Sequence, residues 1–283
     1  MSETTTPAPE LRPVKGPSAL GGGRRRFFEL LLLVSVTEFK QAYFGTVLGY
    51  LWSLLRPLFL FAILLVVFTQ VFRIGSDAVN YPVLLLFNIV VFGFFQESTI
   101  GAVNSIVNQE AIVRKTQFPR LVIPLAVVIT ALLNLGVNLI AVFVFLLAYG
   151  VDPTWTWLLL PVIILLVFVF TTAVSMIVSS LFVRFRDVSI IWSVVVTALF
   201  YGTPVLYPLE KVPEGFRDVV LVNPLTPIFG QARKWVIDPT AQSAAGVAGD
   251  AVFLLAPIGI YVAVCVFAVW VFNREAPRIA EDL

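Results

Sequence analysis

The sequence has no histidine and only one cysteine, so two residue types on which enzymes and metal sites often depend are nearly absent. Histidine is the commonest general base and metal ligand. Cys265 lies inside the last apolar run, which excludes a disulfide framework and a thiolate metal site. The phosphate-loop pattern G-x-x-x-x-G-K-[ST] does not occur, so this chain cannot hydrolyse ATP in that way. We therefore expect a non-enzymatic chain with neither a catalytic residue nor a metal or cofactor of its own.

Charge is also scarce, whereas apolar residues are abundant. Only 13% of the 283 residues are charged, 59% are hydrophobic, and the mean hydropathy is +0.96. A soluble domain is about 45–50% apolar. We therefore predict an all-α integral membrane protein with six transmembrane helices. The predicted spans are Leu51–Phe72, Tyr81–Val107, Leu121–Tyr149, Trp157–Val183, Val188–Leu206 and Ala251–Phe272.

The distribution of lysine and arginine predicts the orientation. If both termini are cytoplasmic, 13 of the 19 basic residues lie on the inner side and 5 on the outer side, and Arg56 lies within the first span. This asymmetry follows the positive-inside rule. We expect a multi-pass protein of the bacterial cytoplasmic (inner) membrane, with a disordered cytoplasmic tail at 1–26, a transmembrane domain at 27–273 and a short cytoplasmic tail at 274–283.

The segment Phe27–Phe44 is too short to cross a bilayer, but it has a helical apolar stripe. Phe28, Leu32, Val36, Phe39 and Tyr43 share one helix face, while Lys40 lies off it. This pattern predicts an N-terminal helix lying in the membrane interface. A core helix tucked under the bundle remains the alternative.

The short polar segment Asn108–Pro124, NQEAIVRKTQFPRLVIP, separates two long apolar runs. Glu110 and Arg114 stand at i,i+4, which supports a short helix. The segment fits either a basic loop that sets topology or a rigid cytoplasmic helix on which a soluble partner pushes.

The segment 207–239 mixes prolines with amphipathic pieces and is predicted to lie on the outer side. Phe216–Val222 and Ile228–Ile237 are each long enough for a short helix. Irregular backbone at membrane depth needs protein or a water-filled cavity to satisfy it. We predict two short re-entrant helices between spans five and six; the alternative is a surface loop on the outer headgroups.

Two ionisable residues lie inside predicted spans. Arg56 fits a contact for a phosphate group, although snorkelling or a helix–helix contact is the alternative. Glu97 fits either a functional interior carboxylate or a hydrogen bond between helices. Asn88, Asn104, Asn134 and Asn138 are interpreted as interhelical contacts.

Aromatic residues within spans fit either a lipid-facing role or the wall of a path on which sugar rings stack. The candidates for the wall of a path are Trp52, Phe59, Trp192, Phe200 and Tyr201, with Glu97 as a polar member.

Whole segments in order resemble a known family. They are FKQAYFGTVLGYLWSLLRPL, NSIVNQEAIVRKTQFPRLVIPL, RFRDV, YGTPVLYPLEKVP and LVNPLTPIFGQAR. Over roughly residues 27–273 the chain is similar to the permease subunit of type-2 ABC exporters. It resembles most the branch that exports polysaccharides such as O-antigen, teichoic acid and cell-wall galactan.

The resemblance implies a homodimer with two ATP-binding cassette subunits, which hold ATP and Mg. It also implies a lipid-linked glycan as cargo and no nucleic-acid partner. Motor contacts are implied in two segments, with Phe28, Phe39 and Lys40 in the first and Asn108, Glu110, Arg114, Lys115 and Phe118 in the second. An outer gate is implied at Tyr207, Asn223, Pro224 and Arg233.

Two rival hypotheses remain at this point. The same architecture would serve an exporter of a drug or small lipid. A membrane-embedded glycosyl- or acyltransferase is disfavoured, because acid–base catalysis needs a positioned titratable group and this chain offers no histidine and only scattered acids.

Overall fold

The protein is described here from a computed structural model that covers residues 24–43, 49, 51–71, 80–110, 119–243, 245–246 and 251–275. Every regular element in these ranges is helical, as the sequence predicted. The nine α-helices of the described ranges are α1 (Arg24–Tyr43), α2 (Leu51–Val66), α3 (Tyr81–Asn108), α4 (Val122–Ala148), α5 (Leu160–Arg184), α6 (Val188–Gly202), α7 (Glu214–Val222), α8 (Leu225–Ala232) and α9 (Leu255–Glu275). A π-helical turn at Val67–Val71 extends α2, and another at Arg233–Ile237 extends α8.

Five helical segments are long and apolar enough to cross a membrane. They are Leu51–Val71, Tyr81–Asn108, Val122–Ala148, Trp155–Arg184 and Leu255–Glu275. They correspond to five of the six predicted spans. The fifth predicted span, Val188–Leu206, is wrong in length, because α6 has 15 residues and ends at Gly202. Thr203 is extended, with ψ of 147°, because the ring of Pro204 disfavours the helical conformation at the preceding residue.

The central helix of the bundle is α3. Nineteen of its residues are buried, and it packs against α2, α4, α5 and α6. Its buried side chains, among them Phe87, Phe92 and Phe95, form the main apolar core with α4 and α5. By contrast, Phe61 is the only buried residue of α2. The bundle is therefore organised around α3, and α2 is attached at its edge.

Helix α1 starts three residues earlier than predicted, so Arg24–Arg26 belong to its first turn and not to a tail. Residues 1–23 and 276–283, the rest of both predicted tails, lie outside the described residues. Phe27 and Leu31 pack on Val122 and Ala126 of α4. The predicted stripe of Phe28, Leu32 and Val36 instead faces outward. One face of α1 thus packs on the bundle and the other is exposed, while its position in the membrane interface stays a prediction.

Two short helices, α7 and α8, lie where the sequence predicted the outer helices, and both begin earlier than predicted, α7 at Glu214 and not at Phe216. The break between them is limited to Asn223 and Pro224, and α8 begins at Leu225, three residues before the predicted start. Pro227 does not prevent this, because a proline in the first turn of a helix removes no intrahelical hydrogen bond.

Candidate functional site

A large cleft lies between the first half of α2 and the middle of α3 and α4. Its volume is about 910 Å³, near the upper end of the ~300–1,000 Å³ of small-molecule sites. Along α3 it extends from Ile89 to Gly101, which is about 18 Å at 1.5 Å per residue. The other lining residues are Trp52, Ser53, Arg56, Pro57, Phe59, Leu60, Val90, Gly93, Phe94, Gln96, Glu97, Ile100, Ala131, Asn134, Leu135, Asn138 and Phe200.

The cleft exists because α2 is attached mainly through its second half. There, Phe61 stacks edge-on against Phe145 of α4, with ring centroids 5.3 Å apart, and Leu64, Leu65 and Phe68 pack on the core. The first half, from Trp52 to Leu60, lines the cleft instead. Opposite it, Gly93 of α3 contributes no side chain, and a Cβ built there would meet nothing within 4 Å.

One wall of the cleft is polar. The side-chain amide of Asn134 on α4 donates a 2.6 Å hydrogen bond to the Glu97 carboxylate on α3. The amide of Asn138 donates to the Asn134 backbone carbonyl at 2.9 Å. Arg56, on α2, lines the same cleft and is close enough to Glu97 for their charges to attract. Both interpretations of Glu97 therefore have a basis, since it links two helices and also faces the cleft.

The other walls are largely aromatic and aliphatic. Trp52, Phe59 and Phe200 line the cleft, and Trp52 and Phe59 are about half exposed, at 48% and 58%. Phe94, which sequence analysis did not single out, also lines it. The structure does not bring Trp192 and Tyr201 to this cleft.

Those two aromatic residues lie elsewhere on α6. Trp192 packs on Phe95, with ring centroids 6.4 Å apart. Tyr201 is 61% exposed and contacts the Phe200 ring edge-on. These contacts do not decide their predicted role in the wall of a path, which stays a prediction.

A second polar contact joins α1 to the end of α3. The Gln109 side-chain amide donates to the Glu38 carboxylate at 2.9 Å, and the Thr130 hydroxyl on α4 donates to the Ser35 carbonyl at 3.1 Å. Burial raises the pKa of the Glu38 carboxyl, and the bond from Gln109 partly opposes that rise. Helix α1 is thus bonded to both helices that flank the predicted motor-contacting segment.

The predicted motor contacts are only partly described. Phe28 and Lys40 are exposed and Phe39 is half-buried on α1, and Asn108 and Glu110 lie at the end of α3. Arg114, Lys115 and Phe118 lie outside the described residues.

At the opposite end of the bundle, charged side chains join the segment that contains α7 and α8. Arg233 pairs with Glu210 at 2.6 Å and with Asp238 at 3.6 Å, and its side chain is only 13% exposed. Asn223 donates to the Thr203 hydroxyl at 2.7 Å, while its carbonyl oxygen accepts from the Leu225 amide at 3.0 Å.

The same region is anchored to α3. The Tyr81 hydroxyl donates to the Leu206 carbonyl at 2.8 Å, and the buried Asn88 amide donates to the carbonyls of Pro204 and Val205 at 3.1 and 3.2 Å. Tyr207 is half-buried, its hydroxyl donates to the Tyr201 carbonyl, and burial raises its pKa. Pro224 is half-buried and forms the N-terminal boundary of α8.

The sequence matches the profile of the ABC-2 type transporter family over residues 29–236. That range runs from α1 to the turn that follows α8 and contains every residue of the cleft. This chain belongs to the ABC-2 type transporter family.

Three curated relatives of this ABC-2 chain share the name O-antigen export system permease protein. An O-antigen export system permease protein of Klebsiella pneumoniae is 31% identical over 257 residues, covering 90% of this chain and 95% of the relative. One of Myxococcus xanthus is 34% identical over 202 residues, covering 71% and 77%. A second from Klebsiella pneumoniae is 33% identical over 199 residues, covering 70% and 76%.

In this ABC-2 chain, sequence reasoning missed the role of Asn134 and Asn138 in the cleft. Their i,i+4 spacing placed them on one helix face and suggested contacts between helices. The structure confirms the contact for Asn134 and adds that both side chains line the cleft. Gly93 and Phe94 carried no signal in the sequence, since nothing in a buried apolar helix indicates which face lines a cavity. Among the described residues, no group of His, Cys, Asp and Glu side chains could hold a metal ion.

Proposed function

We propose that this chain is the transmembrane subunit of an ATP-driven exporter that moves a polyprenyl-diphosphate-linked polysaccharide across the bacterial cytoplasmic membrane. The observation that carries the proposal is the match to O-antigen export permeases over up to 90% of the chain. Such relatives favour a glycan over the alternative cargo, a drug or small lipid.

The chemistry of the cleft fits a glycan carried on a diphosphate. Trp52, Phe59 and Phe200 offer aromatic faces, on which the apolar CH surfaces of sugar rings stack. Asn134, Asn138 and Glu97 offer hydrogen-bonding groups for sugar hydroxyls. Arg56 offers a guanidinium, which binds phosphate oxygens in pairs.

We further propose six spans, formed by the five long helices and α6. At 1.5 Å per residue, the 15 residues of α6 extend only about 22 Å, against a hydrocarbon core of about 30 Å. The non-helical residues 203–206 complete the crossing, and the bonds from Tyr81 and Asn88 satisfy their carbonyls. With both termini in the cytoplasm, the Trp52 end of the cleft faces the cytoplasmic half of the membrane.

A second copy of the chain is proposed to pack against α2 and α6. Both helices flank the cleft, and both leave wide apolar surfaces exposed, including Leu51, Ile63, Ile190 and Val194 at 47–70%. Two such edges from two copies would enclose a path continuous with the cleft. Tyr201, exposed on α6, would then face this path and not the cleft of its own chain.

Two ATP-binding cassette subunits are proposed as the motor, with ATP and Mg held there. The contacts are assigned to α1 and to the segment that follows Asn108, because the resemblance to type-2 exporters places them there. The bonds of α1 to α3 and α4 support this assignment. At the outer end, Tyr207, Asn223, Pro224 and Arg233 are proposed to form a gate.

The test is co-expression of the tagged chain with its candidate ATPase, followed by purification in mild detergent. We expect equal amounts of both chains and ATP hydrolysis in the complex. Depletion of this chain in cells is expected to accumulate completed lipid-linked glycan and to reduce surface polysaccharide. Normal surface polymer and unchanged glycan lipids after depletion would contradict the proposal, and rescue by the wild-type chain is the control.

A further inference from the structure

We propose that Glu97 competes with the cargo's diphosphate for Arg56 inside the cleft that both residues line. This inference rests on the proposed function and deepens it. It assigns opposite roles to the two charges: Arg56 attracts the phosphate, and Glu97 competes for Arg56 and weakens that attraction.

The carboxylate is held in a fixed place. Asn134, only 4% exposed, donates to it across the α3–α4 contact at 2.6 Å. One turn further along α4, the Asn138 amide donates to the Asn134 backbone carbonyl and so adds a second fixed polar group to this wall. The anion therefore stands on the most buried of the five long helices, while its own side chain is exposed to the cleft.

The cation is held much more loosely. Arg56 is exposed, and its helix has a single buried residue, Phe61, near the far end of the cleft. Several rotatable bonds separate the guanidinium from the α2 backbone, so it can turn from one anion to another without moving the helix. A fixed anion and a movable cation that line the same cleft form an arrangement in which a third, anionic group can compete.

A diphosphate is a strong competitor. Its several oxygens accept paired hydrogen bonds from one guanidinium, and it carries more charge than a carboxylate. Without Glu97, Arg56 would keep its full attraction for phosphate, and release would be slower. A path for transport needs binding that is strong enough for entry and weak enough for exit. We therefore expect Glu97 to lower the affinity for the diphosphate and Arg56 to supply it.

The alternative roles of Glu97 make different predictions. If the carboxylate accepts hydrogen bonds from sugar hydroxyls, its neutralisation changes glycan binding but not the affinity for a sugar-free prenyl diphosphate. If it only links α3 to α4, its neutralisation changes thermal stability, and affinity for charged and uncharged prenyl compounds shifts together.

The experiment uses the full chain, purified and reconstituted in nanodiscs of phosphatidylcholine, which adds no net anionic lipid. Binding of geranylgeranyl diphosphate is compared with binding of geranylgeraniol, the uncharged alcohol of the same chain length. The variants are Glu97→Gln, Glu97→Asp, Arg56→Gln and the Arg56→Gln/Glu97→Gln double variant. Glutamine at 97 keeps an oxygen that can accept the Asn134 bond, and melting temperatures check the fold.

We expect Glu97→Gln to tighten diphosphate binding roughly fivefold, the size of a solvent-accessible ion-pair attraction, with no change for the alcohol. Glu97→Asp should resemble the wild type. Arg56→Gln should remove the preference for diphosphate over alcohol, and the double variant should resemble Arg56→Gln.

Unchanged or weaker diphosphate binding in Glu97→Gln would overturn the inference, as would tightening that persists without Arg56. Neither result would affect the proposed function, which is tested by the co-purified ATPase and by the glycan lipids that accumulate after depletion. The opposite combination is also distinguishable. If the charge competition is observed but depletion of the chain leaves surface polymer normal, the proposed function alone is contradicted.

Discussion

The Gln109 side-chain amide donates a 2.9 Å hydrogen bond to the Glu38 carboxylate, and this contact joins α1 to the end of α3. The two residues are 71 positions apart. Gln109 lies at the start of the segment proposed to contact the motor, and Glu38 lies on the helix proposed to share that contact. A displacement of either partner is therefore passed to the other through a single side-chain bond.

Glu38→Ala is expected to lower glycan export per ATP hydrolysed, because α1 and the α3 end lose this link. Glu38→Gln keeps an acceptor oxygen and should largely restore coupling. The measurement compares the amount of surface polysaccharide on cells with the ATPase activity of the purified complex. Glu29→Ala is the matched control, since Glu29 pairs with Arg25 on the exposed side of α1, where such pairs contribute about 0–1 kcal/mol. Equal losses in both alanine variants would contradict the prediction.

The same carboxylate makes stability depend on pH. Burial raises the pKa of Glu38 above its ordinary 4.5. The folded protein therefore holds this proton more tightly than the unfolded chain, and the contribution to stability falls as pH rises above 4.5 through the raised pKa. Glu38→Gln removes this dependence. We expect the melting temperature of this variant relative to that of the wild type to increase as the pH rises above 4.5 and to level off once the pH exceeds the raised pKa. A difference that does not change with pH would contradict the pKa shift.

Asn88→Leu is expected to destabilise the protein by roughly 1–3 kcal/mol, the cost of leaving a buried polar group unsatisfied. Asn88 is 2% exposed, and its amide donates to the carbonyls of Pro204 and Val205. Those carbonyls have lost helical partners because α6 ends at Gly202. Asn104→Leu, at a half-buried position of the same helix, is the control and should lower the melting temperature much less. Similar shifts in both would show that the bonds at 204–205 contribute little.

Long apolar runs made most of the fold predictable, because a bilayer requires about 20 apolar residues in a helix. The exceptions follow from particular residues. The apolar run 188–206 hides the helix end that Pro204 imposes, and Pro227 suggested a break where a first-turn proline is tolerated. Hydropathy responds to neither effect.

The cleft was predictable only in part, because helix faces are chosen by packing. Trp192 and Phe200 lie eight residues apart on α6, yet Phe200 lines the cleft while Trp192 packs on Phe95. The pairing of Glu97 with Asn134 joins residues 37 positions apart. No local pattern indicates either outcome, so both required the structure.

Arg233→Ala is expected to lower stability by about 1–3 kcal/mol, because Glu210 and the buried Asp238 lose a shared cation. Arg233→Lys should recover only part of the lost stability, since an ammonium lacks the planar fork of donors that contacts two carboxylates. Lys234→Ala, one position further on the same π-helical turn, is the control. Thermal melting in detergent is the measurement, and an Arg233→Ala protein as stable as the control would show that the network is not structural.

Transport is expected to continue when Gly93 is replaced by alanine but to fall when it is replaced by leucine. A Cβ there meets nothing within 4 Å and points into open space, so Gly93→Ala should fold well and gain up to about 1 kcal/mol from helix propensity. Gly93→Leu should fill part of the cleft and reduce surface polysaccharide while the melting temperature stays near that of the alanine variant. Full export by a stable Gly93→Leu protein would show that cargo does not pass this part of α3.

Gly101 lies two turns further along the same helix and should behave in the opposite way. A Cβ there would stand 2.9 Å from Cγ1 of Val127 on α4. Two carbon atoms that are not bonded to each other do not approach so closely without a shift of one of them. Gly101→Ala should therefore lower the melting temperature, because overpacking typically costs about 1–3 kcal/mol. Val127→Ala should relieve the clash, so the double variant should be more stable than Gly101→Ala alone. Without that rescue, α3 and α4 would not be in contact at Gly101.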